Sequence, residues 1–496
     1  MSKVIKFGIG FVTGRPNICK LINNTYKHLA KQVSESDTKI ELTIFILFDM
    51  KYQFTTRIDF YGLMPDVYKN VNIKYITPED LEEQKKILIG KEILTKKEAD
   101  LFLGYGYAKG RNTIMYYALK KEIDYLLFWD DDEYPVACLK EDEDEEITWV
   151  KQDNIINTIN YMKKADVALG HKCGYVSPIP YIELKEDINE DLFKDYIEAV
   201  SNEAISWEGI REQLVKYHGF RYVPKSELEE SKVREIKFDG IGKWVLGSPL
   251  CLNFTHLDKI PSFYNPEGAR GEDAFFSTWL ENSKVIEMPV YHFHDAFLKY
   301  TNILNEKYPK KLRKIKMEDE QTTERFIKAS IGWIRYKPLF IYLTDRKNYN
   351  EKIDQIREKL RISIPEVNKL FANSDLNLLL PELEKFNSSV KKDYDDYIKT
   401  DEAWKKVKKA MTENNTGLIN NTAEIAESYN ELGIADSKST PGNRVNGESD
   451  YGSADAILSL KTGGEVYIAI TIIAIIALGI PTFIIIRKKY IKGDRK

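Results

Sequence analysis

Five large apolar residues, Tyr125-Leu-Leu-Phe-Trp129, run without a break into Asp130-Asp131-Asp132-Glu133. A short, uniformly apolar run of this kind is a buried strand of a sheet covered by helices. Ligands of open α/β sheets bind beyond the carboxyl ends of the strands, which is where these carboxylates stand. On an extended backbone Asp130 and Asp132 point to one side and Asp131 to the other. Adjacent carboxylates repel one another unless a cation is present, and a hard divalent ion with oxygen ligands meets that need. Magnesium or manganese held this way would also neutralise a diphosphate. The alternative is a solvated acidic turn, which the apolar strand ahead of it argues against. The later run Glu141–Glu146 has no apolar partner, turn glycine or ligand spacing, and reads as a solvated loop.

The surrounding pattern supports an α/β chain. Strands are predicted over Val4–Thr13, Glu41–Phe48, Val71–Ile76, Tyr125–Trp129 and Val167–Leu169, and helices over Leu21–Val33, Asn112–Lys121 and Asn154–Lys164. Alternation of this sort predicts a Rossmann-like, mainly parallel sheet within residues 1–300. Residues 301–411 carry charged and apolar residues at helical spacing and form an α-helical accessory region. Residues 412–465, rich in Asn, Ser, Thr, Gly and acidic residues, read as a disordered, flexible linker. Residues 466–486 hold no charge, and as a helix they span about 31 Å, the thickness of a bilayer core. That segment predicts one transmembrane helix, followed by the basic tail 487–496. The N-terminus lacks the features of a signal peptide. Four dispersed cysteines, with no CxxC, argue against a disulfide scaffold and for a reducing compartment. With 73 Lys+Arg against 77 Asp+Glu, the chain lacks the basic footprint of a nucleic-acid binder.

Further pieces add a resemblance. Gly110-Arg111-Asn112 opens a helical stretch, and seventeen residues separate Asn112 from the acidic triplet. Downstream come Gly240-Ile-Gly-Lys-Trp-Val-Leu-Gly-Ser-Pro249, Gly268-Ala-Arg-Gly-Glu272-Asp273 and Tyr291-His292-Phe-His294-Asp295. In this order they resemble the core of the GT-A glycosyltransferases, especially family 2, over about residues 4–300. The resemblance implies a GT-A catalytic domain that moves a sugar from a nucleotide-sugar donor to a hydroxyl. Asp130 and Asp132 would be the DxD pair on Mn²⁺ or Mg²⁺, with His292 or His294 completing the metal shell. Thr13, Arg111, Asn112, Asp130 and Asp131 would serve the donor, Asn112 by holding its loop. Asp273 would be the general base of an inverting displacement, with Glu272 beside it. The stretch Thr13-Gly-Arg-Pro-Asn17 departs from the family's usual first turn, and residues 182–236 look like an insertion. Absence of a QxxRW-like motif after Asp273 argues against a processive polysaccharide synthase.

Other readings remain at this level. A nucleotidyltransferase would share the sheet and metal, though Gly14-Arg15-Pro16 is a poor version of its phosphate loop. A non-catalytic sugar-binding module would lack Asp132 or Asp273, and both are present. Glu272-Asp273 could be a helix-start pair favoured by the macrodipole. The basic cluster Lys307–Lys316 reads as a solvated helix face, and Trp333 and Trp404 as core. The acceptor could be a glycan, a lipid-linked group or a protein. The basic tail, by the positive-inside rule, would put the main domain outside. The missing signal peptide, cytosolic nucleotide sugars and cysteine usage favour a membrane-anchored enzyme with a cytoplasmic catalytic domain.

Overall fold

The computed structural model describes residues 4–51, 55–141, 145–175, 178–183, 189–201, 207–316 and 320–413. The predicted transmembrane segment, basic tail and nearly all of the predicted linker lie outside these residues. Among the described residues, no helix is long and apolar enough to cross a membrane.

The strands are β1 (Ile5–Thr13), β2 (Ile40–Phe48), β3 (Asn72–Ile76), β4 (Tyr125–Phe128), β5 (Glu133–Tyr134), β6 (Val136–Leu139), β7 (Thr148–Lys151), β8 (Val167–Tyr175), β9 (Arg234–Glu235), β10 (Leu250–Asn253) and β11 (Val285–Asp295). The main sheet runs β3-β2-β1-β4-β10-β8-β11-β5, with β9 also pairing with β11, while β6 and β7 form a separate hairpin. Parallel ladders join β3 to β2, β2 to β1, β1 to β4 and β8 to β11. Among the described strands of this sheet, β10, β5 and β9 run against them. This is an α/β architecture on a mixed, mainly parallel sheet. Its topology delivers the carboxyl ends of β1, β2, β4, β8 and β11, together with the start of β10, to a single edge.

Side chains alternate across the pleat and build two cores. Leu127 and Trp129 join Phe7, Ile9, Leu42 and Ile44 beneath helices Asn17–Glu35 and Asn154–Met162. Leu126 and Phe128 join Phe45, Leu47, Ile114 and Phe276 on the opposite face. Helix Tyr107–Lys120 approaches β1 closely because Gly110 has no side chain: a Cβ there would stand 2.6 Å from Val12 Cγ1. That close approach brings the next residue, Arg111, to the sheet edge.

The predicted helical region is helical. It belongs to the compact unit Met1–Asn421 and consists of helices Glu320–Thr344, Tyr349–Leu370 and Leu379–Glu413. Trp404 is core, as expected: it is fully buried against Phe102 and donates its indole N–H to Ile260 O at 2.9 Å. The insertion contains helices Glu190–Val200, Trp207–Tyr217 and Lys225–Glu230 and the short β9. Residues 306–316 are not helical, correcting the helix-face reading of the basic cluster. Within that stretch Lys310 pairs with Glu146 at 3.0 Å, and Lys314 lies over the Tyr181 ring.

Candidate functional site

A cleft of about 690 Å³ opens at the shared strand edge. Its rim follows from the topology. Gly14 and Arg15 follow β1, Asp49 follows β2, Asp130–Asp132 follow β4, Lys172 and His294 come from β8 and β11, and Ser248 precedes β10.

The acidic turn is fixed through its backbone. Trp129 N–H donates to Gly10 O at 3.1 Å, and Asp130 N–H donates to Ser248 Oγ at 3.1 Å. Asn17 Nδ2 donates to Asp131 O at 2.8 Å, and Asp295 N–H donates to Asp132 O at 2.8 Å. The carboxylates are thereby aimed at different partners. Asp131 accepts from Thr13 Oγ1 and from Arg15. Asp130 faces Arg111 at 3.6 Å and Lys172 at 3.5 Å. Asp132 meets Arg15 at 3.0 Å and Arg325 at 3.3 Å through Oδ2, and His294 Nε2 at 3.4 Å through Oδ1. Burial pushes the Asp132 carboxyl up, but Arg15, His294 and Arg325 together hold it well below the usual carboxylate range.

Beneath the turn, Glu133 is fully buried. Its Oε1 lies 2.6 Å from Lys172 Nζ, while Oε2 accepts from Ser248 Oγ at 2.7 Å and faces His292 Nδ1 at 3.0 Å. Burial opposes ionisation, but Lys172 and then His292 overcome it and lower Glu133 to about 2.

Glu272 and Asp273 begin helix Glu272–Thr278 and line the same cleft. Burial and the neighbouring Asp273 charge push Glu272 up to about 7, against Arg111. Burial also raises Asp273, against the Ala274 N–H, Arg111 and Lys172. Arg111 connects the two acidic groups: it lies 3.6 Å from Asp130 and 3.5 Å from Glu272, with its guanidinium over Phe128 and Phe263.

The loop before Glu272 is seated on helix Glu320–Thr344. Arg270 N–H donates to Gly332 O at 2.9 Å, and the Arg270 guanidinium lies over the Tyr107 and Trp333 rings. Gly271 has φ +86°, and a Cβ there would meet the Tyr336 ring at 2.9 Å. Trp333 is half-buried against two apolar clusters, in line with a core role, and also lines the cleft together with Tyr336 and Arg325.

The structure thus brings Arg111, Asp130, Asp131, Asp132, Glu272, Asp273 and His294 together. Two expected residues, Thr13 and His292, take other places, and Asn112 keeps the one expected of it. Thr13 is buried and spends its hydroxyl on Asp131, so it positions that carboxylate instead of facing the cleft. Asn112 holds a loop, as expected: it is fully buried and exchanges hydrogen bonds of 2.8 Å with both Phe263 N–H and O. His292 shares a strand with His294 but is turned onto Glu133 under the turn, so the structure places only His294 in the cleft. Lys172, Arg325, Arg270, Trp333 and Tyr336 are cleft residues that the motif reading missed. A lysine inside the otherwise buried strand Val167–Tyr175 was a legible signal for the first; Arg325 carried none.

The donor set is compatible with a hard divalent ion. Asp132 Oδ1 and His294 Nε2 face each other at 3.4 Å, longer than a good hydrogen bond, and the buried Nδ1 of His294 has no hydrogen-bond partner. Among the described residues no three His, Cys, Asp or Glu residues gather to hold a metal by themselves. An ion here would take Asp132 and His294, with Asp130 at the rim, and complete its shell with water and phosphate oxygens, as Mg²⁺ commonly does. The Lys307–Lys316 cluster does not line the cleft. No protein-family model matches this chain, and no curated protein matches it in sequence.

Proposed function

We propose that this chain is a metal-dependent GT-A glycosyltransferase, family 2-like, that uses a nucleotide-sugar donor. Its membrane tether would be segment 466–486, with the catalytic unit on the cytoplasmic side. One observation carries the reading: two acidic groups far apart in sequence, Asp130/Asp132 and Glu272/Asp273, line one cleft and are linked through the Arg111 guanidinium.

In this reading Arg15, Arg111, Lys172 and Arg325 supply the positive field for the donor diphosphate. Asp132 and His294 would hold the divalent ion, which when bound stabilises negative charge on the departing nucleoside diphosphate. Asp273 accepts the acceptor hydroxyl's proton as that oxygen attacks the anomeric carbon opposite the leaving group. Burial favours the protonated form of Asp273, whereas the Ala274 N–H, Arg111 and Lys172 favour the ionised one.

The test is incubation of the full chain with a panel of nucleotide sugars and Mn²⁺, with and without chelator, reading nucleoside diphosphate release. Release from at least one donor, abolished by chelator, is expected. Turnover of none refutes the proposal.

A further inference from the structure

Beyond its charged rim the cleft has an apolar wall. Ile179, Ile197 and Ile210 stand there, packed with Phe193, Tyr196 and Phe326 in an apolar cluster whose edge Trp333 meets; Ser201, Gln213 and Arg221 line the cleft as well. Ile197 is on helix Glu190–Val200 and Ile210 on helix Trp207–Tyr217, within the insertion. Both helices are anchored. Phe193 meets Trp207 edge-on at 5.7 Å, Tyr196 lies 6.1 Å from Phe326, and Glu198 pairs with Lys359 at 2.6 Å.

Which reactant meets this wall follows from the seating of the carboxylate loop. A nucleoside diphosphate is polyanionic and belongs with Arg15, Lys172 and Arg325. Asp273, however, sits on a loop fixed to Gly332 and Tyr336, with the Arg270 guanidinium over Trp333. A hydroxyl delivered to Asp273 therefore places the rest of its molecule beside Trp333 and the isoleucines. Ser201, Gln213 and Arg221 can serve polar groups in the cleft, but the side chains of Ile179, Ile197 and Ile210 offer no hydrogen bond, so polar surface pressed against them would lose its water without replacement. An apolar body gains from the same burial.

Resting on the transferase reading, we propose that the acceptor carries an apolar aglycone, held against Trp333, Ile179, Ile197 and Ile210 while its hydroxyl-bearing head faces Asp273.

The test needs no turnover. Full chain in lipid nanodiscs is titrated calorimetrically with methyl, hexyl and phenyl β-D-glucosides, against blanks of empty nanodiscs. The hexyl or the phenyl compound is expected to saturate one site at least tenfold more tightly than the methyl one; which of the two does so separates a chain-like from a ring-like aglycone. Ile210→Asp and Trp333→Ala should each erase at least most of that gap. If Ile210→Asp does not fold, the partly exposed Trp333 carries the test alone. Equal affinity for all three compounds, or a gap unchanged in the folded variants, overturns the proposal. Failure of the transferase reading is seen separately, as no nucleotide sugar consumed, while the preference for an apolar aglycone persists.

Discussion

Lys172→Met should be among the most destabilising substitutions near the cleft. Glu133 is fully buried, and Lys172 at 2.6 Å is the strongest influence keeping it ionised. Its drop from 4.5 to about 2 corresponds to about 3 kcal/mol favouring the carboxylate in the folded state. A carboxylate depressed on folding contributes stability above its unfolded value, and the contribution is lost as pH falls toward the folded value. For Glu133 that window runs from about 4.5 down to about 2. Removing the ammonium leaves a buried charge with only His292 and Ser248, a change that costs about 3–5 kcal/mol. Urea unfolding followed by circular dichroism should show that loss at pH 7. The deficit should shrink by about 2 kcal/mol at pH 3, where a protonated Glu133 no longer needs its partner. Adding Glu133→Gln should recover most of it. A loss below about 1 kcal/mol, or a deficit independent of pH, would refute the reasoning.

Asp132→Ala should remove the metal dependence of nucleoside diphosphate binding, measured by calorimetry with Mn²⁺ or chelator; an affinity difference retained between the two contradicts the assignment. Gly271→Ala forces a side chain to φ +86° against the Tyr336 ring, and should cost about 1–3 kcal/mol. An unchanged melting temperature would count against that packing. In the pH profile of kcat/KM, the Glu272/Asp273 pair should produce an acidic limb near 7, where Glu272 loses its proton. Glu272→Gln removes the neighbouring charge and should move the limb to lower pH; an unmoved limb would separate it from this pair.

Much of the sheet is readable from local pattern. The first four strands are runs rich in β-branched and aromatic residues, with only isolated polar positions such as Lys6, Glu41 and Lys74, so their predicted and observed limits agree within a residue or so. β8 extends to Tyr175, beyond the predicted Leu169, because Gly170, His171 and Lys172 interrupt the apolar run while the ladder to β11 continues. β10, only Leu250-Cys-Leu-Asn253 between Gly/Pro-rich and helical segments, carries too little periodicity to be recognised, yet it links the two halves of the sheet. The acidic residues of the cleft were legible because unpaired carboxylates at a strand end are costly and stand out. Their basic partners were not, since Arg325 lies in a helix whose charged residues resemble an ordinary solvated face. The separate placement of His292 and His294 depends on which carboxylate of the acidic turn meets each ring, Glu133 for one and Asp132 for the other, a tertiary property that alternation alone does not encode.

The central claim is a division of labour, with Asp132 serving the donor and Asp273 the acceptor's proton. It is tested most directly by measuring donor affinity and transfer rate together in Asp273→Asn, which removes the base without altering the Asp132–His294 end of the cleft. Nucleotide-sugar affinity should stay within about threefold of wild type while transfer falls by about 10²–10⁴, the range of a lost general base. Transfer near the wild-type rate, with donor binding intact, would contradict the account.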